Sequence, residues 1–301
     1  MDNDTINQLP KLELFAQGHR ACSGCGPAIT MRMALKAAGP NTIVCHATGC
    51  MEVVSTPYPQ TSWRLPWIHV AFENAAAVAS GIVASLKKQG KDTNVLVIAG
   101  DGGTFDIGIQ ALSGAVERDT DFTYICYVND AYMNTGVQRS GATPKYAATT
   151  TSPAGKKIHG NKTNPKHMPL IMAAHGAYVA TANIAFPQDF VAKVKKGIEH
   201  KGPSYIQVYS PCQLGWGHPT NITIQVAKLA FSTNISPLYE IENGILKFTR
   251  KPSEPKPVEE FLKLQVRFKH VNSDEIKEIQ NHVNGEMKKL ERLEETGVVL
   301  Y

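Results

Sequence analysis

Residues 94–99 (NVLVIA) form an apolar run of strand length that breaks at once into Gly100-Asp101-Gly102-Gly103. A strand without polar alternation is one covered on both faces, the mark of a parallel sheet. The same grammar recurs along the chain. Strands are expected over 42–45, 122–128, 178–181 and 205–209, and the second of these also ends in a polar cluster, Asn129-Asp130. Between them lie an Ala-rich, proline-free stretch over 74–88 that stops at Gly90, a helical pattern over 106–116 and another over 188–200. Strand, helix and strand in repetition predict an α/β fold, a parallel sheet with helices on both faces. In such sheets ligands sit beyond the C-terminal strand ends, and residues 100–103 and 129–135 fall at two of those ends.

Three segments are expected: an N-terminal arm over 1–20, an α/β domain over 21–250, and a Pro/charged linker with a helical tail over 251–301. The tail lacks a broad apolar face, so it is expected to pack on another subunit or stay solvated, with Gly285 as its weak point. The aperiodic stretch 141–169 is long for a connecting loop, which predicts a functional or partner-ordered segment. A net charge of +5 on 301 residues without a basic block before the tail argues against nucleic acid. The first residues lack the order of a signal peptide and no apolar run suffices to span a bilayer, so a cytoplasmic protein without a membrane role is expected.

The glycines of Gly100-Asp101-Gly102 let the backbone approach a diphosphate, and the helix that follows offers free N–H groups to an anion. Asp101 and the Asn129 side-chain oxygen are hard ligands suited to Mg²⁺. Neither a dinucleotide fingerprint nor a Walker loop competes. Of the six cysteines, Cys22 and Cys25 form a C-x-x-C, while Cys50 and Cys212 sit beside small or turn residues. Four thiolates suit a [4Fe–4S] cluster or a structural zinc, and a thioredoxin-like pair is a third option. Cys126 reads as core; Cys45 is ambiguous by spacing, though its strand favours core. Downstream, an Asn, a Thr and Arg139 within Tyr132-Met-Asn-Thr-Gly-Val-Gln-Arg139 are placed to hold a carboxylate-bearing substrate. The ten histidines form no metal motif.

The segments G-H-R-A-C-S-G-C-G (18–26), A-T-G-C (47–50), P-W-I-H-V-A-F-E-N-A-A-A-V-A-S-G (66–81), G-D-G-G-T-F-D-I-G (100–108), N-D-A-Y-M-N-T-G-V-Q (129–138) and S-P-C-Q-L-G-W (210–216) together resemble the β subunits of pyruvate:ferredoxin oxidoreductases. The resemblance runs from about residue 15 to residue 270. It implies the thiamine-diphosphate-binding fold and a subunit carrying thiamine diphosphate, Mg²⁺ and one [4Fe–4S] cluster. Cys22, Cys25, Cys50 and Cys212 would ligate the cluster. Asp101, Asn129 and the Ala131 carbonyl would bind Mg²⁺. Gly100, Gly102 and Gly103 would line the diphosphate, with Asp130, Tyr132, Met133 and Cys50 also at the cofactor. Asn134 would face the thiazolium and substrate as the catalytic residue. Where some relatives carry a glutamate two residues after the second cysteine, this chain has Pro27.

The implied reaction converts pyruvate and coenzyme A to acetyl-CoA and CO₂, or the reverse, with electrons passing to ferredoxin. The implied partners are an α subunit that supplies the carboxylate activating the cofactor's N1′, together with γ and ferredoxin-like δ subunits. A sister enzyme acting on 2-oxoisovalerate, 2-oxoglutarate or oxalate is the alternative; a zinc-stabilised scaffold subunit is a remote one.

Overall fold

The computed structural model describes residues 9–297; the first eight residues of the expected arm and the last four of the tail lie outside that range. Eight strands form one sheet: β1 (Thr42–Ala47), β2 (Trp67–Val70), β3 (Asn94–Gly100), β4 (Thr123–Val128), β5 (Tyr178–Asn183), β6 (Ser204–Tyr209), β7 (Leu238–Glu242) and β8 (Ile245–Arg250). Their order is β2-β1-β3-β4-β6-β5-β7-β8. β1 to β6 run parallel, and β7 and β8 add an antiparallel edge. The helices are α1 (Gly26–Ala38), α2 (Cys50–Val53), α3 (Ala75–Lys88), α4 (Ile109–Glu117), α5 (Met168–Ala174), α6 (Pro187–Glu199), α7 (Gln213–Trp216), α8 (Thr223–Ser232), α9 (Glu259–Leu262) and α10 (Ser273–Thr296).

The unbroken apolar run of β3 serves two cores at once. Val95, Val97 and Ala99 face one layer, packed with α3 and α4. Leu96 and Ile98 face the other, packed with Met31 and Leu35 of α1 and Phe190 and Val194 of α6. Successive strand residues point to opposite faces, so only a continuous apolar run satisfies both. Cys45 and Cys126 are fully buried in the first layer, and the Cys45 thiol donates to Ala75 O at 3.2 Å, so both are core.

The expected strands and helices are present with ends shifted by a few residues, with one difference in kind. The pattern over 106–116 resolves into a π-helix, Gly102–Ile107, that leads into α4. The β7–β8 hairpin was not anticipated, although Asn243-Gly244 between two β-rich runs signals it; both residues take positive φ (51° and 74°). The tail also differs from expectation. Ile276, Ile279, Val283, Met287, Leu290 and Leu293 of α10 form a narrow stripe at helical spacing that packs on its own chain, with Met287 and Leu290 buried. Dense charge on the opposite face hides that stripe in the sequence. Asn272 caps the helix, its side chain accepting from the Asp274 and Glu275 amides while the Glu275 carboxylate accepts from Asn272 N. The long loop 141–169 is likewise ordered by its own chain, through Lys145–Glu278, His159–Glu275 and His167–Glu286 pairs to α10.

Candidate functional site

The chain passes from β1 to β2 on one side and returns to β3 on the other, so the order reverses between β1 and β3. Splayed connections leave a crevice at such a reversal. Here a small cavity of about 30 Å³ is lined from three strand ends: Thr48 and Cys50 after β1, Gly100, Gly102 and Gly103 at β3, and Asn129, Ala131, Tyr132, Met133, Asn134 and Thr135 after β4. Phe72 and Tyr127 complete it. Among the described residues no carboxylate side chain lines this cavity. The Tyr132 hydroxyl donates to Gly102 O at 2.8 Å, and a Cβ on Gly102 would run into the Tyr132 ring, so any other residue here would have to displace that ring.

Asp101 lies fully buried behind the glycines. One carboxylate oxygen accepts from Asn129 N at 3.3 Å, and the other accepts from the Ser140 hydroxyl. Burial pushes its pKa up to about 8, against the Ser140 hydrogen bond, with nearby Asp130 raising it further. The end of the Asn129 amide lies 2.8 Å from Asp101 Oδ1 and 3.0 Å from Ala131 O. With its NH₂ inward the amide bonds to both; with its oxygen inward, three oxygens converge on one point.

Asp130 stands apart from this group. It adopts a positive φ of 67°, and its carboxylate turns away from the crevice to Arg267 at 2.9 Å. Burial raises its pKa, and the Arg267 guanidinium works against that shift. Asp130 therefore faces Arg267 and is not among the residues lining the crevice. Arg139 is also redirected: its guanidinium donates to Thr163 Oγ1 at 2.9 Å and Asn161 Oδ1 at 3.4 Å, away from the crevice. Asn134 is exposed at the cavity wall.

The cysteines come together from three distant segments. Cys22 and Cys25 close a turn before α1, with Cys25 N donating to Cys22 O at 3.1 Å. Gly26 N then donates to Pro211 O at 3.1 Å, and Thr223 Oγ1 to Gly24 O at 2.7 Å, which docks that turn on the loop carrying Cys212. Cys50 opens α2, and Cys212 caps α7, its sulfur accepting from Gly215 N at 3.3 Å. All four thiols are free. Burial pushes Cys25 up to about 12, with Cys212 and Cys22 adding to the rise; Cys50 rises to about 12 by burial, then by Cys212, Cys25 and Cys22. Cys212 is raised too, burial outweighing the Gly215 amide. Among the described residues, no three His, Cys, Asp or Glu side chains close on a point as ligands of one ion. Gly215 presses on Met133, so the cysteine loop touches the crevice wall directly. Pro27 is buried in the first turn of α1, where a proline is well placed.

Three residues of this region carry little sequence signal. Ser140 and Thr143 sit in a loop of ordinary composition, and Arg267 lies in the segment expected to be linker and tail. Yet Thr143 donates to Asp130 O at 2.6 Å, and Arg267 is buried with its guanidinium over the Trp216 ring at 4.0 Å.

A reversal crevice lined by glycines and oxygens is the place where an open α/β sheet takes an anionic ligand, and the family match says which class of α/β protein this is. Residues 43–208, from β1 to β6, match the family described as thiamine pyrophosphate enzyme, C-terminal TPP binding domain. Over 294 residues the chain is 56% identical to pyruvate synthase subunit PorB of Methanocaldococcus jannaschii, covering 95% of this chain and 99% of that one. It is 45% identical to ketoisovalerate oxidoreductase subunit VorB of Pyrococcus abyssi, covering 95% of each. A solved 2-oxoglutarate:ferredoxin oxidoreductase from Magnetococcus marinus superposes with a TM-score of 0.59 at 25% identity, over 70% of each chain. The chain belongs to the pyruvate:ferredoxin oxidoreductase β-subunit family. Among the described residues no helix is long and apolar enough to cross a membrane.

Proposed function

We propose that this chain is the cofactor-bearing subunit of an enzyme that converts pyruvate and coenzyme A to acetyl-CoA and CO₂, or the reverse, and exchanges electrons with ferredoxin. The observation that carries the reading is the meeting of an oxygen triad and a four-thiol corner at one strand-tip crevice, with Cys50 shared by both. Relatives named pyruvate synthase at 46–56% identity support pyruvate as the substrate.

The oxygen triad fits Mg²⁺. Adjacent ligands on an octahedral ion at about 2.1 Å stand about 3 Å apart, and the Asn129 amide end lies 2.8 and 3.0 Å from Asp101 and Ala131. With its oxygen inward, Asn129 joins Asp101 and the Ala131 carbonyl as ligands, while the glycines of 100–103 and the following helix receive the diphosphate. Four thiols gathered from three segments suit iron–sulfur chemistry, and the solved ferredoxin-linked relative supports a cluster over zinc. Cys22, Cys25, Cys50 and Cys212 would hold a [4Fe–4S] group.

When bound, thiamine diphosphate supplies the electron sink for decarboxylation and the cluster a one-electron acceptor. The chain's own residues bind and orient. Asp101 and Asn129 fix the cation, Tyr132 holds the glycine turn, and Asn134 presents an amide at the crevice mouth for the substrate's polar groups. Among the described residues no carboxylate side chain lines the cavity, which supports an α subunit as the source of the group that activates N1′. The γ and δ subunits complete the electron path in this reading.

The anaerobic complex, assayed across a 2-oxoacid panel, should favour pyruvate; a preference for 2-oxoisovalerate would instead place the chain with its VorB-like relatives. The chain purified alone should bind the cofactor and show no turnover, and full activity of the lone chain would refute the shared-site reading.

A further inference from the structure

The described contacts contain a connection that neither half of the site requires for its own ligand. Trp216 is fully buried four residues past Cys212, and its indole N–H donates to Asn129 O at 2.8 Å. Arg267 lies across that indole at 4.0 Å and donates to Asp130 Oδ2 at 2.9 Å and to Gln265 Oε1 at 2.8 Å. Tyr209 donates to the same Asp130 oxygen at 3.5 Å. Next along the chain, Val266 packs against Gly217, where a Cβ would collide with it. One indole and one guanidinium therefore touch both the 129–131 turn and the loop that begins at Cys212.

We propose that Trp216 and Arg267 form a brace that sets the metal-binding turn and the Cys212 loop in fixed relation, as positioning residues for both groups. The inference rests on the cofactor assignment above. A buried guanidinium is expensive unless it is paired, and here a carboxylate and a side-chain amide accept from it while the indole face covers it. The Trp216 bond uses the backbone carbonyl of a residue whose side chain is the proposed Mg²⁺ ligand. The orientation of that ligand is therefore tied to the ring, in the way outer partners commonly orient metal ligands. On its other side, the ring is carried by the short helix that Cys212 caps, so displacing the ring displaces the sulfur.

The test uses the assembled complex with Trp216→Phe, which keeps an aromatic platform and removes only the donor, and Arg267→Lys, which keeps the charge and removes the fork. Three quantities are measured: Mg²⁺ affinity in the presence of thiamine diphosphate, the midpoint potential of the cluster by EPR-monitored titration, and the unfolding temperature. Both variants should lose about tenfold in Mg²⁺ affinity and shift the cluster midpoint in the same samples. A lowered unfolding temperature with both other readouts unchanged would overturn the brace, as would movement of only one of them. If Arg267→Lys does not fold, Trp216→Phe decides alone. A wild-type complex with no cluster signal or no thiamine diphosphate binding would instead bring down the parent reading.

Discussion

Around Asp101 the polar groups are buried and answered within the chain, whereas Cys22, Cys25, Cys50 and Cys212 stand at loops and element ends with few hydrogen bonds, and burial raises the pKa of Cys25, Cys50 and Cys212. The first corner hangs on two strand ends locked in register, Ala99 beside Cys126 and Gly100 beside Tyr127. The second gathers a turn before α1, the start of α2 and the cap of α7, joined through backbone contacts such as Gly26 N to Pro211 O. A strand-tip site is set by folding of the sheet. A site spread over loops depends on how those loops dock on one another. The comparison therefore separates a corner fixed by strand register from one held by loop contacts.

The largest effect is expected at Cys50, the residue both corners share. Cys50→Ser should abolish iron incorporation and also weaken thiamine diphosphate binding, read by iron analysis and calorimetry. Cys212→Ser should lose iron while leaving diphosphate affinity within a few-fold; unchanged iron content would remove Cys212 from the ligand set. Asp101→Ala should reverse the pattern, with metal-dependent cofactor binding lost and iron retained.

Ser140→Ala probes the strand-tip corner from behind. Removing the donor to Asp101 should cost about 10–100-fold in Mg²⁺ affinity, measured with the cluster intact. The same carboxylate predicts a pH dependence with a definite sign. Its folded pKa of about 8 exceeds the unfolded value of about 3.9. The folded apo chain thus holds the extra proton between those values, and its stability falls as pH rises through that window. Mg²⁺ must displace the proton, so its affinity should fall about tenfold per unit below pH 8. A flat profile from pH 6 to 8 would show that Asp101 is ionised before the cation arrives. The smallest expected change is a control outside both corners. At Gly285 on α10 a methyl group meets nothing within 4 Å, so Gly285→Ala should stabilise by about 1 kcal/mol and leave both metal contents untouched.

The sheet was legible where burial on both faces forced an unbroken apolar run, as in β3 and β4. It was less so at the edges. β2 is four residues with two exposed, and neither periodicity nor length singles it out. The crevice residues were legible because glycines that admit close approach and hard oxygen donors fall together at two strand C-termini, where an anion and its cation are received. Asp130 shares that position but not that direction, because the turn between Asn129 and Ala131 swings its carboxylate to the opposite side. Arg267 was invisible for a related reason: a single arginine in a charged segment carries no spacing, and its role comes from the tertiary contact with Trp216. Arg139 shows the converse, a residue adjacent in sequence whose guanidinium is taken by the neighbouring loop.

Among the described residues no acid lines the crevice wall, and in the proposed reading this has a consequence for how the enzyme is assembled. A subunit that grips its coenzyme but lacks the group that ignites it would be charged early and stay inert. Docking of the neighbour would then act as the firing pin, so that reactive chemistry begins only where a route for the electrons is in place.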